Sequence, residues 1–398
     1  MSVAAAEDPR GRAAARSTLA TCGGAHAIHD GFGDCVYLFL PLWQAELGLT
    51  LAQVGAAKSM TSIGLSVFQL PASFLAERIG ERAVLAGGTL LLGLGYLWVA
   101  AASGAFALGA ALLLLGTGAA VQHPLSSSLI ARHASGARLR VALSTYNFLG
   151  DVGKVVVPAV AAAIVALVGW RGAADALGVF GIATAIALYV LLRPPVDHAA
   201  ATKAGGDAKA AAQATNWLRF ANLGAIAAID SAARTATLTL LPFVLIAKGA
   251  EVSTVGLALS LVFAGGAAGK FACGLLAIRW GVIATVIATE VATVAALLAL
   301  DYLPLAAAMT LLPFLGLALN GTSSVLYGSV PETVARDTLA RAFGIFYTLS
   351  VGGSALAPFL FGYVSDQAGL HTALLVLAAT VLAILPLTLP LRWIDRGT

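Results

Sequence analysis

Charge is what this chain of 398 residues lacks: Asp, Glu, Lys and Arg make up only 11% of it, against 59% hydrophobic residues. A soluble globule carries about 25% charged residues, so too little polar surface is available to coat a water-soluble domain of this size. Cysteine is scarce as well. Cys22, Cys35 and Cys273 stand far apart inside apolar segments, without disulfide or metal-ligand spacing, and read as reduced packing residues. Walker loop, nucleophile elbow and paired metal motif are all missing, so nothing supports an ATP-driven pump, an enzyme, a metal or a cofactor. The net charge of +4 says little about acidic partners, and no nucleic acid is expected.

What is present is a series of long apolar runs. About 20 residues cross the roughly 30 Å hydrocarbon core of a bilayer as a helix. Twelve such runs occur, near 19–43, 54–76, 83–103, 106–131, 141–168, 171–192, 216–246, 255–277, 282–300, 304–330, 340–364 and 370–391. They are continuous rather than alternating, which predicts an all-α membrane protein and not a barrel. Residues 1–18 carry Arg10, Arg12 and Arg16 without an apolar core of their own and read as a polar tail, not a signal peptide.

Placing the amino terminus in the cytoplasm puts seventeen Lys and Arg in the inner segments and only Arg171 and Lys248 in the outer loops. That asymmetry satisfies the positive-inside rule and predicts both termini inside, in a bacterial inner membrane. Lys58, Lys154, Arg234 and Lys270 are left within the spans. A connection rich in Pro, Gly, Ala and charge, 194–215, reads as a cytoplasmic linker. It separates an N-terminal six-helix bundle, 19–193, from a C-terminal one, 216–393, with 394–398 as a second tail.

The bundles repeat each other. "FLAERIG" matches "LLAIRWG", pairing Arg78 and Gly80 with Arg279 and Gly281 at an offset of 201. Arg140 and Tyr146 pair with Arg341 and Tyr347, Pro41 with Pro242, and Asp30 with Asp230 at 200. Two parallel six-helix repeats with a site between them are a transporter architecture.

Twelve spans as six plus six, with "SFLAERIGER" between spans two and three, resemble the major facilitator superfamily. Ser73, Glu77 and Glu81 depart from its usual Gly, Asp and base. The resemblance implies conformational roles for Glu77, Arg78, Gly80 and Arg82. A narrower likeness, to the fosmidomycin-resistance family of efflux proteins, is carried by "AHAIHD", "LPLWQAELGLTLAQVG" and "GTGAAVQHP" followed by "ARHASGARLRVALS". Leu125 departs from that family, as do Asp151 and Lys154 in "NFLGDVGKVVVP". The likeness implies efflux of a small molecule.

Each ionisable group at mid-bilayer costs about 2.5 to 3.5 kcal/mol on insertion scales. The spans nevertheless keep Asp30, Asp34, Asp151, Lys154, Asp230, Arg234, Lys270 and Glu290, functional candidates by default. At 100° per residue, His26, His29, Asp30, Gly33, Asp34 and Tyr37 share an arc of about 140°, and Asn147, Gly150, Asp151, Lys154 and Pro158 one of about 100°. Asp30 is the expected proton carrier, tuned by His26 and Asp34; a fixed hydrogen-bonded plug is the rival reading. Asp151 and Asp230 join the proton-coupling set.

Lys154 and Arg234 are expected either to neutralise Asp151 and Asp230 locally or to offer positive charge to an anion, which Arg binds bidentately. His29, Tyr37, Asn147 and Tyr347 complete the expected substrate contacts. So do His123, beside a predicted kink at Pro124, and Asn320 and Tyr327 in "NGTSSVLYG". Lys270 and Glu290 lie level in spans eight and nine and read as a structural ion pair; Lys58 reads as snorkelling to the interface. The whole describes a monomeric, proton-coupled secondary transporter in the lipid bilayer that exports a small organic compound, an anion on this reading, or a drug. A proton symporter for an organic acid anion uses the same parts. A sensor that moves nothing would need an extra domain that the sequence does not show.

Overall fold

The structure, a computed structural model, describes residues 9–133, 136–192, 216–334 and 339–391. The linker assigned to 194–215, the first eight residues of the tail and the terminal segment 394–398 lie outside them. Among the described residues every element is helical. α1 is Pro9–Leu47, α2 Leu51–Ile79, α3 Glu81–Ala101 and α4 Ala105–Ala131. The run Gly136–Leu191 breaks at Gly169 (φ 73°) into α5 and α6. α7 is Trp217–Ala247, α8 Val252–Trp280, α9 Val282–Tyr302 and α10 Leu305–Ser329. Leu339–Leu382 breaks at Gly369 (φ 83°) into α11 and α12. Nine described helices are long and apolar enough to cross a bilayer; two of these are the broken pairs, and α1, with its extra charges, completes twelve spans.

Local chemistry sets the ends. Gly48 adopts φ 63° after α1, and Thr50 with Gln53 closes a capping box on α2. α4 is interrupted at Ala120 and Val121 because Pro124 has no N–H for the carbonyl four residues back. α1 begins at Pro9, ten residues before the apolar run.

The positive-φ glycines also fix the register of the repeat. Gly48 and Gly249, then Gly80 and Gly281, are 201 apart, whereas Gly169 and Gly369 are 200 apart. Gly153 packs on Ala27, and Gly353 on Ala228. α7 therefore overlays α1 at an offset of 201, while α11 overlays α5 at 200. This corrects the pairing of Asp30 with Asp230, since Asp230 stands at the place of His29 and Ser231 at that of Asp30, and the pairings of Arg140 with Arg341 and Tyr146 with Tyr347, since Phe346 stands at the place of Tyr146.

The bundles meet through α2 with α11 and α5 with α8. Gly55 lies against the Pro358 carbonyl and Gly362 against that of Leu51, and Ser260 Oγ donates to the Val155 carbonyl at 2.6 Å. Asp366 accepts from the Leu51 and Ala52 amides, both at 2.8 Å, so one bundle caps a helix of the other. These contacts all sit in the half bearing the α1–α2 turn. There residues 35–41 and 235–245 are continuously buried, so the two central helices seal that half. Just beyond, Trp170 and Arg171 hydrogen bond Glu46 and hold its carboxyl below the ordinary carboxylate range.

Candidate functional site

Directly below the seal, α1, α4, α5 and α8 bring the chain's buried charges together. Lys154 Nζ lies 3.1 Å from Asp30 Oδ2, 3.9 Å from Asp34 Oδ2 and 3.9 Å from Asp151 Oδ1. Lys270 reaches across from the C-terminal bundle to Asp151 Oδ1 at 2.6 Å. The helical stripe on α1 and that on α5 thus face one another, as their spacing predicts, held close because Gly31 and Gly153 let the helix backbones touch.

His26, only 2% exposed, stacks on Tyr146 at 4.0 Å between centroids. Its Nδ1 lies 2.9 Å from the Tyr146 carbonyl, an acceptor only, so Nδ1 carries a proton. Its Nε2 stands 3.2 Å from Asp30 Oδ2 without making a hydrogen bond. His123, 41% exposed, approaches Asp30 Oδ1 at 3.7 Å. His26, Asp30 and His123 present ligand atoms within 4.8 Å of one another, a set that could hold a divalent ion. The Lys154 ammonium already neutralises Asp30, and a metal would have to displace it.

Not every expected residue joins this cluster. His29 turns toward α3, where Nε2 meets Thr89 Oγ1 at 2.8 Å, and is buried away from the cavity. Tyr37 lies in the seal under Lys58, whose Nζ sits 4.7 Å from the ring centroid. Lys58 is 6% exposed and does not snorkel: it acts on Asp34. The expected Lys270–Glu290 pair is not formed, because Lys270 is taken by Asp151 and Glu290 contacts Asp230 and Thr322. Arg234 donates to Ser231 Oγ at 3.0 Å and also acts on Asp34 and Asp230. Asn320 spends its amide on the Gly316 carbonyl, Asn147 is exposed, and Tyr327 packs edge-on against Phe346. Tyr347 feels the charge of Asp30 from α11.

Two residues escaped notice as site residues. Tyr146, marked only by the repeat, is the platform for His26. Glu81 accepts from Ser128 Oγ at 2.5 Å and pairs with Arg132 at 3.0 Å, tying α3 to α4. Its departure from a basic residue in "SFLAERIGER" was the available signal. In that motif Arg82 stacks on Tyr189 and donates to its carbonyl at 2.6 Å, Gly80 makes the turn at φ 90°, and Glu77 and Arg78 are exposed.

Four cations, Lys58, Lys154, Arg234 and Lys270, therefore surround three carboxylates, Asp30, Asp34 and Asp151. Of the four, Lys154 and Lys270 touch these carboxylates directly.

Known proteins with similar sequences and structures agree with this architecture. The chain is 33% identical over 168 residues to the fosmidomycin resistance protein of Escherichia coli K12, a stretch covering 42% of this chain and 40% of that protein. It is 32% identical over 155 residues to a probable L-galactonate transporter of the same organism, covering 37% and 33%. The chain thus spans well under half the length of these relatives. A bacterial homologue of the human lysosomal transporter Spinster, solved in an inward-facing, unoccupied conformation, superposes with a TM-score of 0.80 over 96% of this chain and 97% of that one, at 15% identity. The nucleoside transporter NupG superposes at 0.76, also at 15% identity, over 93% and 98%. The family model described as Major Facilitator Superfamily matches residues 23–224 and 223–398, and with the twelve spans in two repeated bundles this chain is a multi-pass membrane protein of that superfamily, a transporter family and not an enzyme.

Proposed function

We propose that this protein is a proton-coupled secondary transporter of a small organic anion, working by alternating access. The observation that carries the reading is Lys154, one ammonium held among Asp30, Asp34 and Asp151. An incoming anion competes with Asp30 for it. A proton placed on Asp30 cancels that carboxylate's claim and leaves the ammonium to the anion, so proton and anion favour each other's binding. The same linkage holds in reverse: when the proton leaves, Asp30 reclaims Lys154 and the anion is released.

The sequence resemblance led to export by exchange, and the relative named for fosmidomycin resistance supports that direction. The shared ammonium favours proton and anion moving together, and the relative named as an L-galactonate transporter, a sugar acid, supports an organic acid as cargo. Exchange becomes the better reading for a substrate that competes with the proton for Asp30 itself, as a cation does. On either reading the α2–α3 face, rich in Lys and Arg, is the cytoplasmic one, so the cavity opens inward in an inner membrane.

Proteoliposomes with an entrapped pH dye separate the two. Adding a membrane-impermeant sugar acid outside should acidify the lumen, and Asp30→Asn should abolish the signal. Alkalinisation would establish exchange. Flux indifferent to a pH gradient would remove proton coupling altogether.

A further inference from the structure

Glu290 is the buried charge that the Lys154 cluster leaves unused. It is 3% exposed on α9, and its Oε1 has no hydrogen-bond partner. By the repeat it stands opposite Asp230, 4% exposed on α7, as Thr89 stands opposite His29 in the other bundle, and the two carboxyls act on each other. Among the described residues no Lys, Arg or His nitrogen lies within 4.0 Å of either carboxyl. Arg234, one turn along α7, acts on both but spends a donor on Ser231. On the helices packed around the pair, Lys270 of α8 is taken by Asp151 and Tyr327 of α10 packs on Phe346. Thr289 and Thr322, with hydroxyls 2.7 Å apart, line its remaining side.

The internal repeat supplies an independent argument. At the corrected offset of 201, Asp230 and Glu290 stand where His29 and Thr89 stand in the other bundle. There the same contact is a 2.8 Å hydrogen bond between groups that need carry no charge. In the C-terminal bundle both partners are acids. Two carboxylates in contact and out of water repel each other, and a proton between them turns that repulsion into a hydrogen bond.

We propose that Asp230 and Glu290 form a proton-binding dyad in the C-terminal bundle, separate from the Asp30 cluster. As a site of coupling this rests on the proton-coupled reading above; as a proton site it does not. With one proton the dyad keeps a negative charge toward Arg234. With two it releases Arg234, which is then available to an anion in the cavity.

Infrared difference spectroscopy of the purified protein tests it. At pH 7 the wild type should show a protonated-carboxyl C=O band that shifts in D2O and that disappears in Glu290→Gln. The double variant Asp230→His, Glu290→Thr copies the neutral pair of the other bundle and should lose the same band with the fold intact. In proteoliposomes both variants should move fewer protons per substrate while coupling through Asp30 persists. A spectrum in which neither variant loses such a band overturns the dyad. The band present in a protein that moves no protons would support the dyad and sink the transport reading.

Discussion

Lys154 holds three carboxylates with one charge, and that economy makes it the residue on which the cavity depends. Breaking a buried ion pair by removing one partner costs about 3 to 5 kcal/mol, because the orphaned charge stays behind. Lys154→Gln would leave Asp30 and Asp34 one turn apart on α1, facing Asp151, with Lys270 on Asp151 and only His26 and His123 beside Asp30. Its stability should fall by about 3 kcal/mol, read as a lower midpoint of thermal unfolding in detergent, and transport should be lost. Adding Asp30→Asn should recover part of the stability and none of the proton coupling. Additive losses in this double-mutant cycle would show that the two groups do not interact.

At the scale of the helix, what was legible in the sequence is what depends on one helix at a time. The stripe of His26, Asp30 and Asp34 follows from helical periodicity, and the interruption of α4 follows from Pro124. Choices between helices were not legible. Lys270 and Glu290 are level in depth, but depth says nothing of rotation about the axis, and Lys270 turns toward α5. His29 lies only one position from Asp30, yet that 100° step carries it from the cavity to Thr89. The repeat suffered likewise: a single-residue difference between the α1 and α5 offsets is invisible until backbone contacts fix it. Helix contacts also make their own prediction. A side chain at Gly55 would run into the Pro358 carbonyl, so Gly55→Val should prise α2 from α11. The Asp366 cap would break with them. An engineered cysteine in the seal formed by α1 and α7 should then react with a water-soluble maleimide in the variant and stay protected in the parent, where Cys22, Cys35 and Cys273 are all buried. Equal protection in both would refute the role of that contact.

Across the whole molecule the two bundles share a backbone plan and divide the chemistry. Asp30 and Lys154 make a 3.1 Å ion pair in one; at the equivalent places in the other, Ser231 and Ser354 make a 2.5 Å hydrogen bond. Charge binding thus belongs mainly to the N-terminal bundle, with Lys270 and Arg234 reaching it from its partner. The seal above them has an electrical consequence. His123 and Lys270, 41% and 38% exposed, lie on the α2–α3 side of the seal, while residues 35–41 of α1, about 10 Å of helix, are continuously buried. A membrane voltage falls where conducting water is absent, so most of it drops across that short plug, at about 2.3 kcal/mol per charge per 100 mV. Ligands entering from the open face should therefore bind with an affinity nearly independent of voltage, whereas the step that carries the plug to the other side should feel the full field. In voltage-clamped proteoliposomes the maximal rate should respond to an imposed potential and the half-saturating concentration on the open face should not.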